Sequence, residues 1–146
     1  MNPSDLPEVA QLARQLGYPV DVREIENRFS LISDNSDYAL FVAKTDENKA
    51  VGWIQINREP KSLLISDYAD VAALVVDENY RGKGIGKLLL QEIEKWARQN
   101  KIKQIRLRSN SKRTDAHRFY LREGYQISKL ANIFMKNCDC SITAGV

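Results

Sequence analysis

The chain has 146 residues, 43% of them hydrophobic and 28% charged, with a formal net charge of +3. That length suits one domain, 1–146, with a sizeable core. The small positive excess favours an anionic ligand but falls short of the basic stripe a nucleic-acid binder presents. No apolar run approaches the roughly 20 residues of a membrane span, and Met1-Asn-Pro-Ser-Asp-Leu-Pro7 holds no signal-peptide core. A cytoplasmic protein without membrane or nucleic-acid partners is expected.

Leu6, Val9, Ala10, Ala13 and Leu16 recur at helical spacing, predicting a helix over 4–16 that is capped by Ser4 and stopped by Gly17 and Pro19. Asp21 followed three residues later by Glu24 starts a second helix, 22–32, with Val22, Ile25 and Phe29 as its stripe. Two alternating runs, 38–44 and 51–57, flank the polar turn Thr45-Asp-Glu-Asn-Lys49 and read as a hairpin. An irregular link leads to 69–76, apolar almost throughout, as in a strand covered on both faces. After a glycine loop, Leu88, Leu89, Ile93, Trp96 and Ala97 trace a helix to Gln99, with Asn100 as its left-handed cap. Residues 103–108 form a strand. Thr114 or Asp115 caps a short helix ending at Gly124, 125–136 holds one or two closing strands, and 137–146 is a flexible tail. Cys138 and Cys140 in that tail, with the lone His117 remote, are too few ligands for a metal site, so incidental thiols and no metal are expected.

From residue 69 the order is strand, glycine loop, helix, strand, helix, strand. A right-handed crossover joining parallel neighbours follows, and the preceding hairpin makes the α/β sheet mixed. The loop itself, Arg81-Gly-Lys-Gly-Ile-Gly-Lys87, fits neither familiar phosphate fingerprint. The dinucleotide spacing fails because the third glycine comes one residue early, and the P-loop fails because Leu88 follows Lys87. What remains is a strand-to-helix corner with bare backbone. Its glycines admit positive φ and close approach, its first-turn amides lack intrahelical acceptors, and Arg81, Lys83 and Lys87 add charge. A pyrophosphate suits such a corner; the bland alternative is a tight turn whose glycines serve packing.

Arg81-Gly-Lys-Gly-Ile-Gly86 resembles the R/Q-x-x-G-x-G/A signature of the GNAT superfamily of N-acetyltransferases, and Ala116-His-Arg-Phe-Tyr-Leu-Arg-Glu-Gly-Tyr125 is similar to its A-x-x-F/L-Y-x-x-x-G-F/Y helix. The resemblance implies a central mixed, mostly antiparallel sheet with a splayed parallel pair, flanked by about four helices. It implies acetyl-CoA as co-substrate, with pantetheine beside Leu74, Val75 and Val76 and pyrophosphate on the amides of Arg81, Gly82, Lys83, Gly84, Ile85, Gly86 and Lys87. The acceptor side would be formed by the first two helices. The family pattern has Asn three residues before the helix alanine; this chain has Arg113 there and Asn110 earlier, so either is a candidate CoA contact, and Arg108 and Arg113 could meet the 3′-phosphate. Members usually open with a strand that this chain lacks, which leaves 38–44 bare or paired by a second subunit in a homodimer.

Acyl transfer to an amine must first present a neutral nucleophile. A lysine-like ammonium of pKa about 10.4 offers roughly one free lone pair in two thousand at pH 7, a handicap of about 4–5 kcal/mol. The thiolate leaving group then gains from a positioned acid. The resemblance points to Tyr120 as that acid, against a plain packing role, and places Asp70 where relatives often hold a glutamate base. Tyr68 and Glu59 are further candidates, whereas His117 reads first as a hydrogen-bonded structural residue. A sensor of the same fold that holds CoA or acetyl-CoA without turnover is the alternative. The cations Lys101, Lys103, Arg106, Arg108, Lys112 and Arg113 form a solvated face or meet CoA phosphates.

Overall fold

A computed structural model of the chain describes residues 1–59, 62–65 and 67–138. Cys140 and the tail from 139 onward lie outside the described residues. The chain divides into two compact units, Met1–Arg108 and residues 109 onward.

In the first unit a short 3-10 turn, Pro3–Asp5, leads into α1 (Leu6–Gln15). Ser4 does not cap this helix. Pro3 pre-sets the turn, and the Asn2 N–H donates to Asp5 Oδ2 at 2.7 Å. Asp5 is buried against Lys44 Nζ. Burial pushes its carboxyl pKa up, but the Lys44 and Asn2 hydrogen bonds outweigh this and hold it below 3.8. α2 (Val22–Ile32) begins where the reciprocal cap predicts: Asp21 Oδ1 accepts the Glu24 N–H at 2.8 Å, and Glu24 Oε2 accepts the Asp21 N–H at 3.3 Å.

Four strands follow the expected positions: β1 (Tyr38–Lys44), β2 (Ala50–Arg58), β3 (Tyr68–Val76) and β4 (Gln104–Leu107). They lie in the order β1-β2-β3-β4, the first two pairings antiparallel and the last parallel. The sheet is therefore mixed and mostly antiparallel. β1 stands at its outer edge, with no strand beyond it among the described residues. α3 (Ile85–Gln99) makes the crossover from β3 to β4. Its end corrects one expectation. Asn100 keeps φ −95° and returns its side-chain amide to the Trp96 carbonyl at 2.8 Å, while Lys101 takes the left-handed step at φ +58°. A side chain that can bond back into the last turn removes the need for Asn100 to bend the backbone.

Strand alternation sorts the side chains of β2. Trp53 packs with Val9, Leu12 and Ala13 of α1 and with Val75, whereas Gly52, Ile54 and Ile56 face the other way. A Cβ on Gly52 would stand 3.2 Å from Ile85 Cγ2, 3.2 Å from Leu89 Cδ1 and 3.0 Å from the Val75 carbonyl. Gly52 thus sets how closely the start of α3 approaches the sheet. Along β3 the register slips: Gln55 pairs with Ala73 and Ile56 with Val71, leaving Ala72 as the extra residue of a bulge. The slip reverses the alternation, so Asp70 before it and Ala73 and Val75 after it share the face of Trp53 and Asn57.

The second unit holds α4 (Thr114–Arg122). Neither Thr114 nor Asp115 caps it; Arg113 occupies the cap position without a side-chain cap. Gly124 closes the helix at φ +91°. Residues 125–138 carry no helix or strand, against the closing strands expected there. Ile127, Leu130, Ile133, Phe134 and Met135 are all exposed in this segment, so the alternation that reads as strand has no sheet face to bury. No helix among the described residues is long and apolar enough to cross a membrane.

Substituting Gly52→Ala is expected to lower stability by about 1–3 kcal/mol, the usual cost of overfilling a packed interior. Denaturant unfolding monitored by circular dichroism measures it.

Candidate active site

β3 ends in a 3-10 turn, Glu78–Tyr80, fixed by Asp77, whose Oδ1 accepts the Asn79 N–H at 2.9 Å. The Glu78 N–H donates to Gln15 Oε1 of α1 at 3.0 Å. Arg81 folds back, its Nε donating to the Val76 carbonyl at 3.1 Å, and Lys83 Nζ sits 4.9 Å from the centre of the Tyr80 ring. Gly82 and Gly84 then take φ of +76° and +82°. A Cβ on either would meet nothing within 4 Å, so these glycines serve backbone conformation and leave the loop open above, which removes the packing explanation for both.

Gly84 is the N-cap of α3 and, being glycine, supplies no capping side chain. Leu88 is the first residue to close a helical turn, its N–H reaching the Gly84 carbonyl at 3.1 Å. The amides of Ile85, Gly86 and Lys87 precede that turn and lack intrahelical acceptors. With the helix dipole behind them and the exposed Lys87 beside them, they form a site for an anion.

The strand feeding this corner is only half paired on its far side. The parallel ladder runs from Tyr68 with Gln104 to Val71 with Leu107, where β4 ends. Beyond it, the Asp77 N–H bonds the Val51 carbonyl and the Val75 carbonyl lies beside Gly52. The main-chain groups of 75 and 77 therefore face β2, and alternation turns those of Leu74 and Val76 to the open edge. Of the three residues expected to present backbone there, Val75 instead contributes its side chain to the opposite neighbourhood, and the Val76 carbonyl is already taken by Arg81.

Where the ladder holds, it carries an ion cluster. Asp70 Oδ1 accepts from Arg106 Nε at 2.8 Å, and Asp70 Oδ2 lies 3.7 Å from Arg108 Nη2. The hydrogen bond to Asp70 pushes the Arg106 pKa up against the opposing effect of burial. The same guanidinium stacks 4.5 Å from the Tyr68 ring centre. Asp70 and Tyr68 are thus joined through Arg106, a residue expected on a solvated face or against CoA phosphates. Glu59 donates its N–H to the Tyr68 carbonyl at 3.0 Å.

Between α1, α2 and the sheet lies a cavity of about 250 Å³. Trp53, Gln55, Ala72 and Ala73 line it from the sheet and Ile25, Arg28 and Phe29 from α2. Ala72 reaches it because of the bulge, a feature that single-strand periodicity does not announce. A shallower depression of about 370 Å³ at the Gly17–Asp21 turn is bounded by Arg14, whose Nε is spent on the Val20 carbonyl.

In the second unit Asn110 organises the approach to α4. Its side-chain oxygen accepts the Lys112 N–H at 3.0 Å, and its carbonyl accepts both the Arg113 N–H at 2.9 Å and His117 Nε2 at 3.0 Å. His117 is therefore a hydrogen-bonded structural residue. Tyr120 is partly buried, with Phe119 at 5.3 Å and Tyr125 at 6.2 Å between ring centres. Burial raises its phenol pKa above 10.0, and nearby Arg113 pulls it back only in part.

Glycine corner, half-paired strand and crossover define a mixed α/β fold with an anion-binding strand-to-helix corner. The sequence profile of the acetyltransferase (GNAT) family matches residues 7–125, and the chain belongs to that family. It is 36% identical to an aminoalkylphosphonate N-acetyltransferase of Salmonella typhimurium over 99 residues, 68% of this chain and 62% of that protein. The chain thus spans less than two-thirds of that relative's length. An N-acetyltransferase of Bacillus subtilis without an assigned substrate is 30% identical over 73% of each chain. Among solved structures, the 6′-N-acetyltransferase for aminoglycoside antibiotics from Acinetobacter baumannii superposes with a TM-score of 0.81 at 20% identity, covering 94% of this chain and 95% of that one. At that identity the likeness speaks for the fold.

The phenol of Tyr120 yields a titration forecast. A raised folded-state pKa means its neutral form contributes stability that is complete below the unfolded value of about 10 and is lost as pH rises through the folded value. In an ultraviolet phenolate titration of the six tyrosines, Tyr120→Phe is expected to remove a late, high-pH component and to flatten the alkaline fall in stability.

Proposed function

We propose that this chain is an N-acetyltransferase that moves the acetyl group of acetyl-CoA to a primary amine by direct attack, its two units acting as one domain. The observation that carries this is the row of unpartnered amides at Ile85, Gly86 and Lys87, opening behind Gly84 at the end of a strand that has lost its parallel neighbour. The amides and cations of Arg81 to Lys87 suit the pyrophosphate. The open groups of Leu74 and the Val76 N–H suit pantetheine amides, which would add to the edge as a strand does. The family profile, spanning both units, supports treating them together. Asn110 and Arg113 are assigned to the CoA side by motif position, and Arg113, at the α4 cap without a side-chain bond of its own to the helix, suits a phosphate.

The amine attacks the thioester carbonyl, the C–S bond breaks, and the departing thiolate takes a proton. Tyr120 supplies that proton in our reading. Its raised pKa keeps the phenol protonated at neutral pH, and its motif position is that of the family's tyrosine. No enzyme nucleophile is needed, and Cys138 is exposed outside both motifs. Asp70 has both oxygens engaged by arginines, which leaves it little capacity to collect a substrate proton. We assign it a positioning role, tying β3 to β4 where the ladder ends, and let the ammonium lose its proton to water. We further assign the protein to the cytoplasm, with no metal requirement.

Two substitutions separate binding from chemistry. Gly84→Val cannot relax at φ +82°, so calorimetry is expected to show acetyl-CoA affinity falling by more than about tenfold, since each charge-assisted bond lost costs about 1.5–3 kcal/mol. Tyr120→Phe should leave that affinity intact and lower kcat by about 10²–10⁴-fold, the range for a lost general acid. Acetyl-CoA binding without thiol release from any amine would instead establish a sensor.

A further inference from the structure

The cavity under α1 and α2 is lined almost wholly by apolar side chains, and among the described residues no aspartate or glutamate lines it. Its single charged side chain is Arg28 of α2; the Met1 ammonium at the sheet side donates to the Leu40 carbonyl at 3.5 Å. Arg28 is exposed and has no ion-pair or hydrogen-bond partner among the described residues. Trp53, on the facing wall, is buried with an indole N–H that has no acceptor among the described residues. Gln55 beside it donates one amide hydrogen to Asn57 Oδ1 at 2.9 Å, which turns its Nε2 to Asn57 and keeps its carbonyl oxygen as an acceptor. One cationic side chain at the rim, two polar groups without partners among the described residues and a largely apolar interior describe a ligand by complement. A polycation would meet an arginine and no carboxylate, so its charges would be repelled and their hydration lost without replacement. An anion would pair with Arg28 in the forked geometry guanidinium favours.

We propose that the acceptor is an amine that also bears an anionic group and an apolar body, such as an aminocarboxylate or aminophosphonate with an aliphatic or aromatic side chain. Its anion meets Arg28, its apolar portion fills the space between Phe29, Ile25 and Trp53, and its amine is left toward the sheet. This rests on the acetyltransferase reading for the turnover of that amine, though not for its binding. The shared anion–amine chemistry covers both acid types, and the cavity size sets a modest side chain as the upper limit.

The test compares phenylalanine, its phosphonate analogue, phenethylamine, glycine and a polycationic aminoglycoside, with thiol release as one readout and quenching of Trp53 fluorescence as the other, a Trp96→Phe background isolating that signal. The expected result is a KM for phenylalanine or its phosphonate at least about tenfold below those of phenethylamine and glycine, as one charge-assisted contact predicts. Arg28→Gln should raise it by a similar factor with kcat little changed. Equal use of phenethylamine, preference for the aminoglycoside, or an unaltered KM in Arg28→Gln would overturn the proposal. If no amine releases thiol although acetyl-CoA binds, the acetyltransferase reading falls by itself. Fluorescence then still decides: saturable quenching by phenylalanine that is lost in Arg28→Gln supports the assigned ligand, and its absence rejects it.

Discussion

Three main-chain amides without acceptors among the described residues are the constraint around which the first unit is arranged. A helix start is ordinarily closed by a serine, threonine or aspartate, yet α3 begins behind Gly84 and closes nothing. Leaving donors open costs little while water reaches them, and it leaves them available to a ligand that can replace that water with negative charge. The surrounding residues keep the opening in place. Asp77 fixes the turn before it, Gln15 ties that turn to α1, and Gly52 lets the foot of α3 settle on β2. None of these touches the open amides, and each determines where they point.

The second constraint is that β3 has to be two kinds of strand. Near Tyr68 it is an interior strand, locked to β4 by backbone bonds and by Asp70 with Arg106. Past Val71 it becomes an edge on one side. The bulge at Ala72 falls at that transition and rotates the strand so that Val75 joins Trp53 in the core while Ala72 opens onto the cavity. A regular strand would have put Val71, Ala73 and Val75 on one face and Asp70 on the other. The bulge instead brings a carboxylate, its arginines and the apolar cavity onto a common face.

What was legible in the sequence follows the range of the interaction involved. Asp21 with Glu24 is complete within four residues, and the helix they start lies where the letters place it. The glycine corner is similarly local, because positive φ at Gly82 and Gly84 needs no distant partner. Asn100 misled because two local solutions exist for the same residue, a left-handed bend or a side-chain bond to Trp96, and the second leaves the bend to Lys101. The bulge and the Asp70–Arg106 pair were hidden for a different reason. Both depend on which residue of one strand stands opposite which residue of another, a register that no single strand records. Residues 125–136 alternate like a strand, but alternation is a statement about a partner face, and the structure gives that segment none.

The same distinction bears on what family membership can say about an acceptor. The motifs that resemble the family pattern lie at the glycine corner and on α4, and by that resemblance they concern the carrier of the acetyl group. The cavity is made of side chains from α1, α2 and the far side of the sheet, which can vary without disturbing that grip. Discrimination between an amine that carries an anion and one that carries several cations is electrostatic at root. The wall of this cavity offers Arg28, whose side chain has no partner among the described residues, and no carboxylate among its described lining residues.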